Sequence, residues 1–532
     1  MIRKLLVLIL LLAATGTAHA QWREAATRNF LVYSEGKEAD LRAFAEKLEK
    51  FDFVLRRIHK VEAPPSPNKL RIILVGNQRD VAALAGYPGS GVAGYYVRDA
   101  RGMLMVGSRN RLQSGGGGGD RGENREVWGI DSEAVLLHEY THHFMYQYFP
   151  ATYPTWYSEG FAEFWGATRF LDNGVVEVGR PAEHRFGSFI ANRWLPVASM
   201  LEAQSYADVG EVDLLYAQGW LLVRYAWENP ERQRQLQQYL GLINKGVAYR
   251  DAARQSFGDI GKLNSELRSY SGKARFNVLQ LPFRAVDVGE IKTRTMTAAE
   301  QALFRHEIEL GQGVSVEEFT GFAGKVRRDA AAFPNDPFAL RLLVEVERTA
   351  RNLPAAQAAL AKLLAAAPND PRGLMFQGLL AIDALGQRGG GSAEDFRAAR
   401  QPILRAAQLQ PNDPLIQEAI YTSYAAMGGL PPEDAQVALY RAMELAPSDG
   451  RLRYLVASDF EKRDLIPEAI AIIRPDAYRV PDRREESDRE RAQRERRENR
   501  GRRAGTARTE SAREMLERLI KKQQQAAASG GS

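Results

Sequence analysis

The chain has 532 residues, 45% of them apolar and 26% charged, which is too long for one ordinary domain and too apolar for a disordered chain. Its formal charge of +6 comes largely from Arg3, Lys4 and an arginine-rich tail, so the folded part lacks the basic face that a nucleic-acid partner requires. The absence of cysteine excludes disulfides, thiol nucleophiles and Cys-based zinc sites, and leaves histidine and carboxylate to hold any metal.

Residues 1–20, MIRKLLVLILLLAATGTAHA, read as an export signal: two cations, an apolar run from Leu5 to Ala14, and Ala18-His19-Ala20 as a cleavage site. The run is shorter than the about 20 residues that a bilayer span needs. The mature chain is therefore expected to begin at Gln21 and to work in the periplasm or outside the cell. The first folded block is mixed. Phe30–Tyr33 reads as a short strand, Asp40–His59 as a helix, and Leu70–Val75 as a buried strand after the prolines at 64, 65 and 67. Val92–Val97 and Met103–Val106 suggest a hairpin around Asp99–Gly102. A glycine run, Gly115–Gly119, reads as a linker in preference to a lid over a cleft. Asp131 and Ser132 are candidate N-caps for a helix over 133–149.

Farther on, Pro-Asn-Asp-Pro occurs at 334, 368 and 411, and Pro447-Ser-Asp-Gly450 is a degenerate fourth copy. Small and apolar residues return at matched offsets: Ala356, Leu360 and Leu363; Ala399, Ile403 and Ala406; Ala435, Leu439 and Ala442. A small residue that lets backbones approach, apolar residues a turn later and a proline at the exit describe stacked helix hairpins. Their period resembles the tetratricopeptide repeat. Residues 482–503 hold ten arginines and seven acids with Ala492 as the sole apolar residue, a composition that favours a solvated segment. A short amphipathic piece, Ala512–Lys522, follows. The expected domains are thus 1–20, 21–290, 296–475 for the repeats, and a charged, unstructured tail over 476–532.

Three of the seven histidines lie in HEYTHH, residues 138–143. His138-Glu139-Tyr140-Thr141-His142 is H-E-x-x-H, and on a helix positions i and i+4 share a face, so both imidazoles can reach one cation. Glu139 is about 100° round the helix from His138. It can meet a water at the metal without ligating the metal, as a general base must. A catalytic zinc usually takes three protein ligands, so a third belongs downstream.

Trp156-Tyr-Ser-Glu-Gly-Phe-Ala-Glu163 after such a helix resembles the glutamate helix of the gluzincin (peptidase MA-like) metallopeptidases. The resemblance implies Zn2+, with Glu159 as third ligand and Glu163, one turn on, as the carboxylate that orients a ligating histidine. The stretch from His142 to Glu159 is slightly shorter than in the aminopeptidase-like members and Ser158 replaces an asparagine; Glu159 is expected over Glu163 at the metal. Tyr216-Ala-Gln-Gly219 resembles the segment whose tyrosine stabilises the oxyanion, which implies that role for Tyr216 or, failing it, a packing role. The lysine and glutamate of that segment are absent, which argues against a strict aminopeptidase.

The expected fold is therefore an α+β zincin-like domain followed by an all-α tetratricopeptide-like solenoid. His143, His184 and His306 are expected to be packing or surface residues. Trp156, Phe161, Phe164 and Trp165 are expected in the core beneath the active helices. Two functions compete. One is a zinc peptidase of the cell envelope, acting on peptide or protein substrates with the repeats recruiting substrates or partners. The other is a repeat scaffold carrying an inactive zincin domain. Glu139 favours the first, because a scaffold has no use for the base.

Overall fold

The computed structural model describes residues 21–86, 88, 92–109, 132–180, 193–204, 206–272, 278–283, 286–478 and 510–529. The expected signal segment, the Gly115–Gly119 run, Asp131 and His184 lie outside the described residues.

Leu70–Val75 forms strand β3 over the expected residues, between β2 (Phe30–Ser34) and β5 (Leu104–Ser108). Both neighbours run parallel to it, with Ile73 opposite Tyr33 and Val106. The expected hairpin is present: β4 (Gly94–Val97) returns antiparallel to β5 and ends the sheet. On the other side β1 (Arg23–Ala26) and β9 (Lys292–Thr295) add antiparallel strands, in the order β4-β5-β3-β2-β1-β9. The sheet thus closes a few residues past the expected boundary at 290.

The apolar run of β3, broken only by Arg71, which pairs with Glu307, reflects burial on both faces. Leu70, Ile72 and Leu74 pack into the core that contains α1 (Glu38–His59) and α3 (Ser132–Tyr148). Ile73 and Val75 face Val81 of α2 (Gln78–Leu84) together with Phe304 and Ile308 of α10 (Ala298–Gln312). The first core continues into α4 (Thr155–Gly166), α5 (Val197–Glu202), α6 (Val212–Glu228), α7 (Pro230–Asn244), α8 (Tyr249–Phe257) and α9 (Ile260–Ser271). A small sheet of β6 (Arg169–Phe170), β7 (Val175–Val178) and β8 (Leu279–Pro282) flanks them.

From α10 onward the described residues form helices and the turns between them; the expected charged run 482–503 lies outside the described residues. α10 and α11 (Val316–Ala330), α12 (Pro337–Thr349) and α13 (Leu353–Ala366), and α14 (Pro371–Gln387) and α15 (Ala393–Leu409) pair as hairpins. So do α16 (Pro414–Ala425) with α17 (Glu433–Leu445), and α18 (Gly450–Lys462) with α19 (Ile466–Ala477). The repeated Asn-Asp-Pro has a local cause. Asp336, Asp370 and Asp413 each cap the next helix by accepting its first backbone N–H groups, and the proline occupies the first turn, where its missing donor costs nothing. Asp449 caps α18 in the same way.

One expectation needs correction. Residues 510–529 are not part of a solvated tail: α20 (Ala512–Ser529) packs on α19 and buries Met515, Leu516 and Leu519 beside Ile466, Ile470 and Ile473. The stretch from Ala512 to Lys522 is amphipathic, and a solenoid end leaves an apolar face that such a helix covers. Among the described residues no helix is long and apolar enough to cross a membrane.

Candidate metal centre

Helix α3 carries His138, Glu139, His142 and His143, and its position is set by close contacts. Tyr140 Oη donates to Asp52 Oδ1 at 2.5 Å and Lys47 pairs with Glu133, which tie α3 to α1. On the sheet side a Cβ on Gly107 would lie 2.4 Å from Leu136, and one on Gly94 would lie 2.6 Å from Val135. Those two positions have to be bare for α3 to sit this low on β4 and β5. At the far end of α4, a Cβ on Gly166 would lie 3.0 Å from Ala134 O and from His138 Cβ.

The crossing of α4 over α6 is tighter still. A Cβ on Gly160 would stand 2.2 Å from the carbonyl carbon of Gly219, and one on Gly219 would stand 2.4 Å from Trp156 O. Two backbones in contact bring Glu159, next to Gly160, and Tyr216, one turn before Gly219, to the same side as α3. The glycines of Ser-Glu-Gly and Tyr-Ala-Gln-Gly therefore have a packing reason as well as a place in a motif.

Three ligand atoms converge. His138 Nε2 and His142 Nε2 are 3.1 Å apart, and Glu159 Oε2 lies 3.2 Å from the first and 3.5 Å from the second. These are edges of a tetrahedron whose centre is about 2.0 Å from each corner, the distance at which zinc takes nitrogen and oxygen. Among the described residues this is the one group of His, Asp and Glu whose geometry could hold an ion. Glu159 Oε2 is sealed from solvent and makes no hydrogen bond of good geometry. A buried carboxylate oxygen left in that state fits a cation better than it fits nothing. Burial alone would push the Glu159 carboxyl up, but His142 and His138 outweigh it and hold the group well below the usual carboxylate range.

Around these atoms stand supporting groups. Glu163 Oε1 is 3.8 Å from His138 Nδ1, on the side of the ring away from the cluster, so Glu159 and not Glu163 faces it. His142 Nδ1 is 3.3 Å from Ser158 Oγ, which is in turn 3.3 Å from Tyr146 Oη. Tyr206 Oη donates to Glu159 Oε1 at 2.5 Å. Burial, then Glu159 and Tyr216, raise the Tyr206 phenol well above its ordinary value, so it stays a donor. The Tyr216 ring lies nearly parallel to His138, 12° between planes and 6.2 Å between centroids, and also stacks on Tyr206.

A cavity of about 90 Å³ joins His138, Glu139, His142, Glu159, Tyr206 and Tyr216, with Tyr96 and Arg98 of the edge strand and the turn after it on its rim. The structure thus brings together every expected site residue. Tyr206 was not legible: it lies on a 3-10 turn (Tyr206–Asp208) at no motif spacing. Of the remaining histidines, His143 is buried against Tyr96 Oη at 3.0 Å, and burial, with Arg56 nearby, lowers it to about 3. His306 pairs with Asp329 inside the first repeat. Trp156, Phe161, Phe164 and Trp165 are buried in the core as expected.

No protein-family model matches the sequence. No curated protein matches it either. Among solved structures, the chain is similar to a thermophilic TPR protein of Thermus thermophilus, at 19% identity and a TM-score of 0.28 over 33% of this chain and 88% of the other.

Proposed function

We propose that the chain is a zinc-dependent peptidase of the cell envelope, exported by its N-terminal segment, with the repeats recruiting protein substrates or partners. The observation that carries this reading is the convergence of His138 Nε2, His142 Nε2 and Glu159 Oε2 at tetrahedral spacing, with Glu139 in the wall of the same cavity. The likeness of H-E-x-x-H and W-x-x-E-G-x-A-E to gluzincin motifs supports it from the sequence side.

His138, His142 and Glu159 would hold the ion. Bound there, zinc supplies a Lewis acid that polarises a carbonyl and makes a water easier to deprotonate. Glu139 takes the proton from the attacking water on its carboxylate and returns it to the leaving amine. Tyr216, beside His138, offers a neutral donor to the oxyanion. Tyr206 and Glu163 hold Glu159 and His138 in orientation.

The scaffold reading has less support, because Glu139 lines the cavity beside the ligand atoms, where a scaffold would need no carboxylate. The test is metal content and peptide-library cleavage of the wild type and of Glu139→Gln. One zinc in both, with cleavage only by the wild type, supports the peptidase. Zinc in both with cleavage by neither moves the function to the repeats.

A further inference from the structure

The turn between β4 and β5, Asp99–Gly102, is held by the repeats at separated points. Ala100 N donates to Asp449 Oδ2 at 2.7 Å. Arg101 Nη1 donates to Leu310 O at 2.9 Å, and its Nε lies 3.3 Å from Glu345. Ala100 is 1% exposed and belongs to the same buried cluster as Tyr421, Leu439 and Leu452 of the repeats. On β4 itself, Tyr96 Oη is 3.3 Å from Ser448 Oγ and 3.0 Å from His143 Nδ1. Tyr96, His143, Ser448 and Asp449 are all buried.

The capping aspartates show what is unusual at Asp449. Asp370 and Asp413 each use Oδ1 to cap their own helix and Oδ2 to take an arginine, Arg341 at 2.6 Å and Arg372 at 2.5 Å. Asp449 caps α18 through Oδ1 in the same way. Its Oδ2 takes the Ala100 amide instead, while Arg451 stands off at 3.9 Å and pairs with Glu418. The strand so gripped is a wall of the metal cleft: Gly94 lies against Val135 and Glu139, and Tyr96 lines the cavity.

We propose that Ser448 and Asp449 are positioning residues for the candidate metal cleft: the fifth repeat locks β4 against α3 and so fixes Glu139 within the cavity wall. The catalytic consequence rests on the peptidase reading; the locking rests on the contacts alone. Asp449→Asn separates the two jobs of this side chain. Asparagine caps a helix as well as aspartate does, but its amide nitrogen cannot accept from Ala100 N. Asp413→Asn is the matched control, since it also keeps a cap and loses only Arg372.

Hydrogen exchange of residues 94–102 is read in the full chain. Asp449→Asn speeds it at least about tenfold, as expected for a lost bond to a charged acceptor, and Asp413→Asn changes it less than about twofold. With peptide as substrate, kcat falls at least about threefold in Asp449→Asn at unchanged zinc content, and not in Asp413→Asn. Equal exchange in both variants, or faster exchange with unaltered kcat in an active enzyme, overturns the proposal. A wild type that cleaves nothing removes the peptidase reading instead, and the exchange comparison then decides the locking by itself.

Discussion

Gly160→Ala tests whether the α4–α6 crossing builds the site. The added methyl would meet the carbonyl carbon of Gly219 at 2.2 Å, its oxygen at 2.4 Å and Trp220 N at 2.7 Å. Carbon pairs settle at about 3.5 Å or more, and these obstacles are helix backbone, not movable side-chain ends. The helices must therefore part by roughly 1 Å at this point. Overpacking of this kind costs about 3 kcal/mol, the upper end of the usual range, and a domain of this size loses about 2–4 °C in Tm per kcal/mol. Calorimetry should show a fall of roughly 6–12 °C. Because Glu159 is the adjacent residue, the same displacement exceeds the about 0.5 Å tolerance of a preorganised site. Zinc affinity, measured by competition with a chromophoric chelator, should drop at least about tenfold. Gly241→Ala on α7, where a Cβ meets nothing within 4 Å, is the control and should be neutral to slightly stabilising. A Gly160→Ala protein with Tm within about 2 °C of wild type and unchanged zinc affinity would refute the reasoning.

Tyr206→Phe removes the donor to Glu159 Oε1 and should weaken zinc binding by about 10–100-fold, the usual effect of losing a ligand's supporting hydrogen bond; chelator competition reads it directly. His59, boxed by Phe144, Phe149, Phe161 and Trp165, is lowered by burial to about 4. The unfolded chain then binds a proton that the native one does not between about pH 6.5 and 4, so stability is full above about pH 6.5 and declines as pH falls through that window. The decline attributable to His59 is about 3 kcal/mol, and denaturant midpoints of His59→Phe should lack it. A chain ending at residue 509 loses Met515, Leu516 and Leu519, all 1% exposed or less. At about 1.5–3 kcal/mol per buried side chain before entropy, its last repeat should melt several degrees lower, with new dye-binding surface.

The elements that could be read beforehand are those whose own side chains carry the reason for the fold. Leu70–Val75 is apolar but for Arg71 because both faces of β3 are covered, and the repeat helices carry their capping aspartates in local sequence. β1 and β9 were not legible, since Arg-Glu-Ala-Ala and Lys-Thr-Arg-Thr become strands only by pairing with each other and with β2. The same contrast holds at the site. His138, Glu139 and His142 share one helix, so their spacing announces them, whereas Glu159 and Glu163 on the next helix are implied by the resemblance of W-x-x-E-G-x-A-E to the gluzincin glutamate helix. Tyr206 arrives from a separate turn by tertiary packing, and Ser448 and Asp449 approach the cleft wall from more than 300 residues away. The fate of α20 was masked by its neighbours: the charged run before it suggested solvent, while its buried face is set by the open end of the solenoid.

The most direct test of the proposed centre is X-ray absorption at the zinc edge of the stoichiometrically loaded protein. About four nitrogen or oxygen neighbours at about 2.0–2.1 Å are expected, with outer-shell scattering from two imidazoles, and loss of the bound zinc in Glu159→Ala. Zinc that fails to bind stoichiometrically, or a site with one imidazole or three, would contradict it.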